Sequence, residues 1–217
     1  MATTHAWTNL MWAEMEDLGR LLDEMPDEEF DRPSLCAGWA VRDVVGHMLV
    51  GHTTPMPRML AMVARYRFNV TRASFEKSKE LAGSLSPVEI RARWNDVVTN
   101  QTRRGIARLI PSNEAFVDHT VHHQDIRRAV ERPRAIPEDR LVAALDGAAA
   151  VSSPLFSPRK KISGLRFEAT DVGWSHGDGP VVTGRGEAIL MSAAGRVSAL
   201  RELDGEGVRI LAERVGG

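Results

Sequence analysis

The strongest constraint in this chain is a change of hydrophobic period near residue 152. Before it, apolar residues recur at three- and four-residue steps, the spacing of amphipathic helices. After it, short alternating runs are punctuated by glycine and aspartate, the pattern of strands joined by turns. Leu10, Met11, Leu18, Leu21 and Leu22 mark a first helix over 5–24, ended by Pro26 and an acidic stretch. A second helix starts near Trp39 and presents Val41, Val44, Val45, Met48 and Leu49, until Pro55 and Pro57 stop or kink it. A helical stretch around 59–68 leads into a polar loop. Ser86, Pro87 and Glu89 form a capping-box start for a helix over 86–110. Two more helices follow, one capped by Ser112 or Asn113 and bounded by Pro133, the other opening at Pro137. Beyond Ser153, strands are expected in GLRFEATDVGW and GPVVTGRGEA, then helices near 187–194 and 205–214. The expected architecture is mainly α. A bundle occupies 1–152 and a small α+β unit 153–217.

Composition narrows the function classes. Basic and acidic residues number 28 and 29, so no net charge pulls the chain toward nucleic acid or an acidic membrane. Only four of the basic residues are lysine, and two of these are Lys160 and Lys161. The single cysteine, Cys36, excludes a disulfide framework and a CxxC metal site and fits a reducing compartment. No apolar run reaches the roughly 20 residues of a membrane span, and the start lacks a basic, apolar leader pattern. A cytoplasmic protein is expected.

Three of the seven histidines fall in DHTVHHQD, residues 118–125. On a helix, Asp118 and His122 share one face and His119 and His123 another. A carboxylate and an imidazole one turn apart can hold one cation, but two ligands bind weakly. A third must come from elsewhere, and His47, one turn after Val44 on the inward side of its helix, is the natural candidate. Two histidines and a carboxylate with open positions suit a catalytic divalent ion. Spacing alone also fits packed, hydrogen-bonded histidines. His5, His52 and His176 read as surface or core residues. Cys36 has no base beside it in sequence and reads as a small packed residue. Arg91, Arg93, Arg103, Arg104 and Arg108 read as a solvated helix face.

SLCAGWAVRDVVGHM (34–48) and VDHTVHHQDIRRAV (117–130) resemble the two motifs of the mycothiol-dependent maleylpyruvate isomerase family, within the DinB-like group of metal-binding four-helix bundles. GLRFEATDVGW, GPVVTGRGEAILMSAAGR and GEGVRILA resemble its C-terminal pattern, so the resemblance runs nearly the whole chain. It implies an antiparallel bundle, a divalent metal, with zinc first, on His47, Asp118 and His122, and mycothiol or a similar small thiol as co-substrate. It implies a cis–trans isomerase or S-transferase acting on a small electrophile, with Arg196 holding the substrate's carboxylate. His123 and Asp125 become candidates to orient a ligand, and Trp39 an anchor at the helix start. Two departures stand out. The family acid is more often Glu, one methylene longer than Asp118, and Ala40 stands where Ser or Thr would cap the helix. A metal-dependent hydrolase on the same bundle, or a non-catalytic metal-binding member, are the competing readings.

Overall fold

In the computed structural model, residues 4–153 and 156–216 are described. Ten α-helices and four short strands are seen in them: α1 (Thr4–Glu24), α2 (Val41–Thr53), α3 (Met56–Arg65), α4 (Val70–Gly83), α5 (Pro87–Thr99), α6 (Ser112–Ala129), α7 (Glu138–Ala150), α8 (Pro158–Ile162), β1 (Arg166–Ala169), β2 (Ser175–His176), β3 (Val181–Gly184), α9 (Gly186–Ala193), β4 (Leu203–Asp204) and α10 (Val208–Val215). Helix α1 packs on α5 and α6, and α2 packs on α4, α5 and α6. The strands form one sheet in the order β2-β1-β3-β4, in which β1 and β3 run parallel and pair Phe167 with Val182. The chain is thus mainly α with a small sheet in its C-terminal part. The expected boundary at 152/153 adjoins Pro154 and Leu155, which lie outside the described residues.

Apolar residues at helical spacing explain α1. Its buried face is Met11, Met15, Leu18, Leu21 and Leu22, and Trp94 of α5 fits against it by donating its indole N–H to the Met15 carbonyl at 3.0 Å. One continuous apolar cluster links these residues to Leu141 and Leu145 of α7, and to Ile189 and Leu190 of α9. The bundle and the sheet-bearing segment therefore share a core. Gly186 lets α9 sit close to α7 there, since a Cβ on it would press on Leu141 and Leu145 at 3.1–3.2 Å.

Three expectations need correction. The polar loop after residue 68 is helix α4. Its composition hid it, because the face it buries is small rather than apolar: Ala73, Ser78 and Ala82. Asn69 caps it, accepting from the Arg72 N–H at 2.9 Å. Gly46 of α2 lets the two backbones approach so closely that a Cβ there would sit 2.7 Å from the Ser78 carbonyl. The helix expected over 86–110 ends at Thr99, and Gln101 takes a left-handed φ of 45° before a short 3-10 turn at Gly105–Arg108. The arginines expected on one solvated face divide. Arg91 donates to the Leu22 and Met25 carbonyls of the α1 end, and Arg103 donates to the Ala107 and Ile110 carbonyls, while Arg93 and Arg108 are exposed.

Candidate metal centre

The start of α2 is built without a side-chain cap at Ala40, as its methyl requires. Asp43 instead accepts from the Ala40 N–H at 2.9 Å. The preceding turn places the Trp39 ring 5.2 Å from the His47 ring and 5.7 Å from Phe75 of α4. Helix α6 is buried on nearly every side, so all three of its histidines are enclosed, each toward different neighbours.

His47, Asp118 and His122 come together, each with a ligand atom within 4.8 Å of the others. Nε2 of His122 lies 3.5 Å from an Asp118 oxygen, and the rings of His47 and His122 meet edge-on at 5.1 Å. The far nitrogen of each imidazole is held. Nδ1 of His47 lies 3.1 Å from the Ser74 hydroxyl, and Nδ1 of His122 lies 3.0 Å from Asp125 Oδ2. With the N–H on Nδ1, as the Asp125 carboxylate favours for His122 and the Ser74 hydroxyl allows for His47, Nε2 of each ring would be the atom left for a cation. Such outer contacts fix tautomer and ring direction in metal-ligating histidines. The donor set suits a divalent cation.

The electrostatics agree. Burial opposes charge on His122, yet Asp118 and Asp125 outweigh it and raise its pKa to about 10. Burial, then the His122 charge, lowers His47 to about 4. The point between Asp118 and His122 therefore attracts positive charge strongly. A bound cation would take the place of the His122 proton.

Asp125 ties the centre to the C-terminal segment. It is fully buried, and burial would raise its pKa, but the His122 hydrogen bond and the Arg196 charge hold it well below the usual carboxylate range. Arg196 follows α9 and Gly195, which turns the chain with a φ of 97°. Its Nε donates to Asp125 Oδ1 at 2.9 Å, its Nη2 donates to Oδ2, and its Nη1 donates to the Ala194 carbonyl at 2.9 Å. Cys36 joins the same carboxylate, its thiol 3.2 Å from Oδ2, with Arg196 Nη2 3.5 Å from the sulfur. Cys36, His122 and Asp125 also converge as possible ligands, but the guanidinium already supplies the cation on that side.

The remaining histidines fall elsewhere. His123 points away, to Glu14 of α1 at 2.7 Å, with Arg127 donating to its other nitrogen. Its expected part in orienting a metal ligand is thus not borne by any contact, and it serves instead in a buried network with Glu14, Arg134 and Arg140. His52 is a core residue, its Nδ1 2.8 Å from the Thr102 carbonyl and its Nε2 2.9 Å from His119. Sequence reasoning missed the Ser74 and Cys36 contacts. Ser74 lay in the segment read as loop, and Cys36 meets Asp125 only through tertiary packing. A cleft of about 490 Å³ opens between the bundle and the C-terminal segment, lined by Leu35, Arg127, Arg128, Pro133, Ser198 and Arg201.

Comparison with known proteins fits this architecture. Residues 11–104 match the family model of the mycothiol maleylpyruvate isomerase N-terminal domain. No curated protein matches the chain. Among solved structures, the mycothiol-dependent maleylpyruvate isomerase is similar at 19% identity and a TM-score of 0.58, over 95% of this chain and 96% of that one. A histidine-to-alanine mutant of the mycothiol-dependent isomerase gives 18% identity and the same TM-score and coverage. Residues 11–104 are thus similar to the mycothiol maleylpyruvate isomerase N-terminal domain, and the chain as a whole has the fold of the crystallised maleylpyruvate isomerase.

Proposed function

We propose that this chain is a metal- and thiol-dependent enzyme that isomerises, or transfers a small thiol to, a small electrophile. The observation that carries the reading is the convergence of His47, Asp118 and His122 with both far imidazole nitrogens already held. These three residues would hold a divalent cation, with zinc the first candidate from two nitrogens and one carboxylate. When bound, such a cation lowers the pKa of a thiol and makes its thiolate available at neutral pH. Mycothiol, named for the family and for the crystallised isomerase, is the thiol the resemblance favours.

The chain's own residues prepare the site. Ser74 orients His47, Asp125 orients His122, and Arg196 with Cys36 holds Asp125 in place. The Trp39 ring, stacked on Phe75, packs at a tilt beside the His47 ring and shields one side of it. Cys36 is not the nucleophile in this reading. Its thiol donates to Asp125, and the nearest imidazole nitrogen is engaged with the same oxygen, so no base is free to activate it. The shorter Asp118 reaches the shared point because its side chain lies 3.5 Å from His122 one turn along α6.

Cobalt-loaded protein titrated with mycothiol tests this reading. A sulfur-to-metal absorption band, absent in His122→Ala, together with thiol-dependent turnover of a small cis-enoate, is the expected result. No band, with ester hydrolysis that ignores the thiol, would replace the reading with a hydrolase.

A further inference from the structure

The arginine that the sequence offered for a substrate carboxylate is already spent. All three of its nitrogens donate within the protein, two to Asp125 and one to the Ala194 carbonyl. Beside it stands a cation with no such commitment. The Lys161 ammonium lies 3.6 Å from the point where a Cβ on Gly195 would be, in the space that this glycine leaves open. Lys161 is half-buried, and among the described residues no carboxylate, carbonyl or hydroxyl meets its amine. Burial lowers its pKa and the neighbouring Arg196 charge lowers it further, so both surroundings disfavour the ammonium as it stands.

A second donor, packed against the His47 and His122 rings, is also unanswered among the described residues. The indole Nε1–H of Trp39, whose ring packs against His47 and His122, is buried without an acceptor. Native structures seldom leave buried donors unmet, and such groups call for a partner. The acids nearby cannot serve, since Asp125 is taken by Arg196 and Asp118 faces the two imidazoles. With a divalent cation and a thiolate in place, Asp118, Asp125 and the sulfur would balance all but one of the positive charges of the metal, Arg196 and Lys161. An anion from outside the protein would suit these unmet groups.

We propose that Lys161 takes the carboxylate of the small molecule handled here, while Arg196 acts as a positioning residue through Asp125. The proposal rests on the reading of His47, Asp118 and His122 as the functional site, and it assigns recognition to a residue on α8. An ammonium–carboxylate pair in a half-buried place is a charge-assisted hydrogen bond, among the stronger polar contacts.

Calorimetric titration of the full chain with maleate, a small cis-dicarboxylate, tests this in metal-loaded and metal-free protein. Wild type is expected to bind, Lys161→Met to weaken binding roughly 10- to 100-fold, and Lys161→Arg to stay within about threefold. Unchanged thermal midpoints would show that both variants fold. Equal maleate affinity in wild type and Lys161→Met, or no binding by wild type, overturns the assignment. The metal reading fails by a different result, a chain that retains no cation. The Lys161 comparison in the metal-free arm is decided independently of it.

Discussion

Replacing Asp125 with asparagine removes one charge from the best-connected carboxylate in the protein and leaves its shape. Three partners lose their acceptor or its charge: His122 Nδ1 at 3.0 Å, both donating edges of Arg196, and the Cys36 thiol at 3.2 Å. The Arg196 side chain is only 15% exposed, so its guanidinium would remain desolvated and unpaired. Breaking one side of a buried ion pair costs about 3–5 kcal/mol. For a chain of 217 residues this lowers the thermal midpoint by roughly 6–20 °C, at about 2–4 °C per kcal/mol. The same change frees the His122 ring, and loss of such an orienting contact weakens metal affinity about 10- to 100-fold. Urea unfolding and metal competition with a chromophoric chelator measure the two effects separately. Cys36→Ser is the control, since it keeps a donor for Asp125 and should cost no more than about 1 kcal/mol. If Asp125→Asn unfolds within about 0.5 kcal/mol of wild type and keeps its metal affinity, the role given to Asp125 is wrong.

Acid should destabilise the metal-free protein in two stages. Burial holds His47, His119 and His123 at about 4, 3 and 4, below the ordinary 6.5, so the unfolded chain takes their protons first. Their contribution is intact above pH 6.5 and falls as pH drops toward 4. Glu14, where burial is outweighed by His123 and Arg134, is held at about 2, and its contribution disappears as pH falls from 4.5 toward 2. His122 acts in the opposite sense, its contribution complete below 6.5 and lost as pH rises toward 10. Thermal midpoints measured across pH should therefore peak near neutrality, and a flat profile from about pH 7 to about pH 4 would refute this account. Gly46→Leu should unfold the α2–α4 contact, because its side chain would enter the Ser78 carbonyl; a loss below about 1 kcal/mol in urea would show the helices can separate cheaply.

Helical period made α1, α2, α5, α6 and α7 legible, and the two alternating runs placed β1 and β3, while the two-residue strands β2 and β4 fall outside them. Helix α4 was not legible, because small residues on a polar background give no apolar stripe, and the close approach at Gly46 is a property of two helices together. The same limit applied to the site. Asp118 and His122 are local to one helix, so their shared face follows from the four-residue spacing. Cys36, Asp125 and Arg196 lie far apart in the chain, and nothing in their neighbourhoods announces that they meet. Arg196 was visible as a cation after a helix, but that its donors are all engaged is visible only in the fold.

Metal content decides the central claim most directly. Protein purified without chelators and without a nickel column should carry close to one divalent ion per chain by elemental analysis. His122→Ala should carry almost none while keeping its helical circular dichroism, since two remaining ligands bind weakly. A wild-type chain that neither retains nor takes up zinc, cobalt, manganese or nickel would contradict it, as would a His122→Ala variant that binds metal as well as wild type.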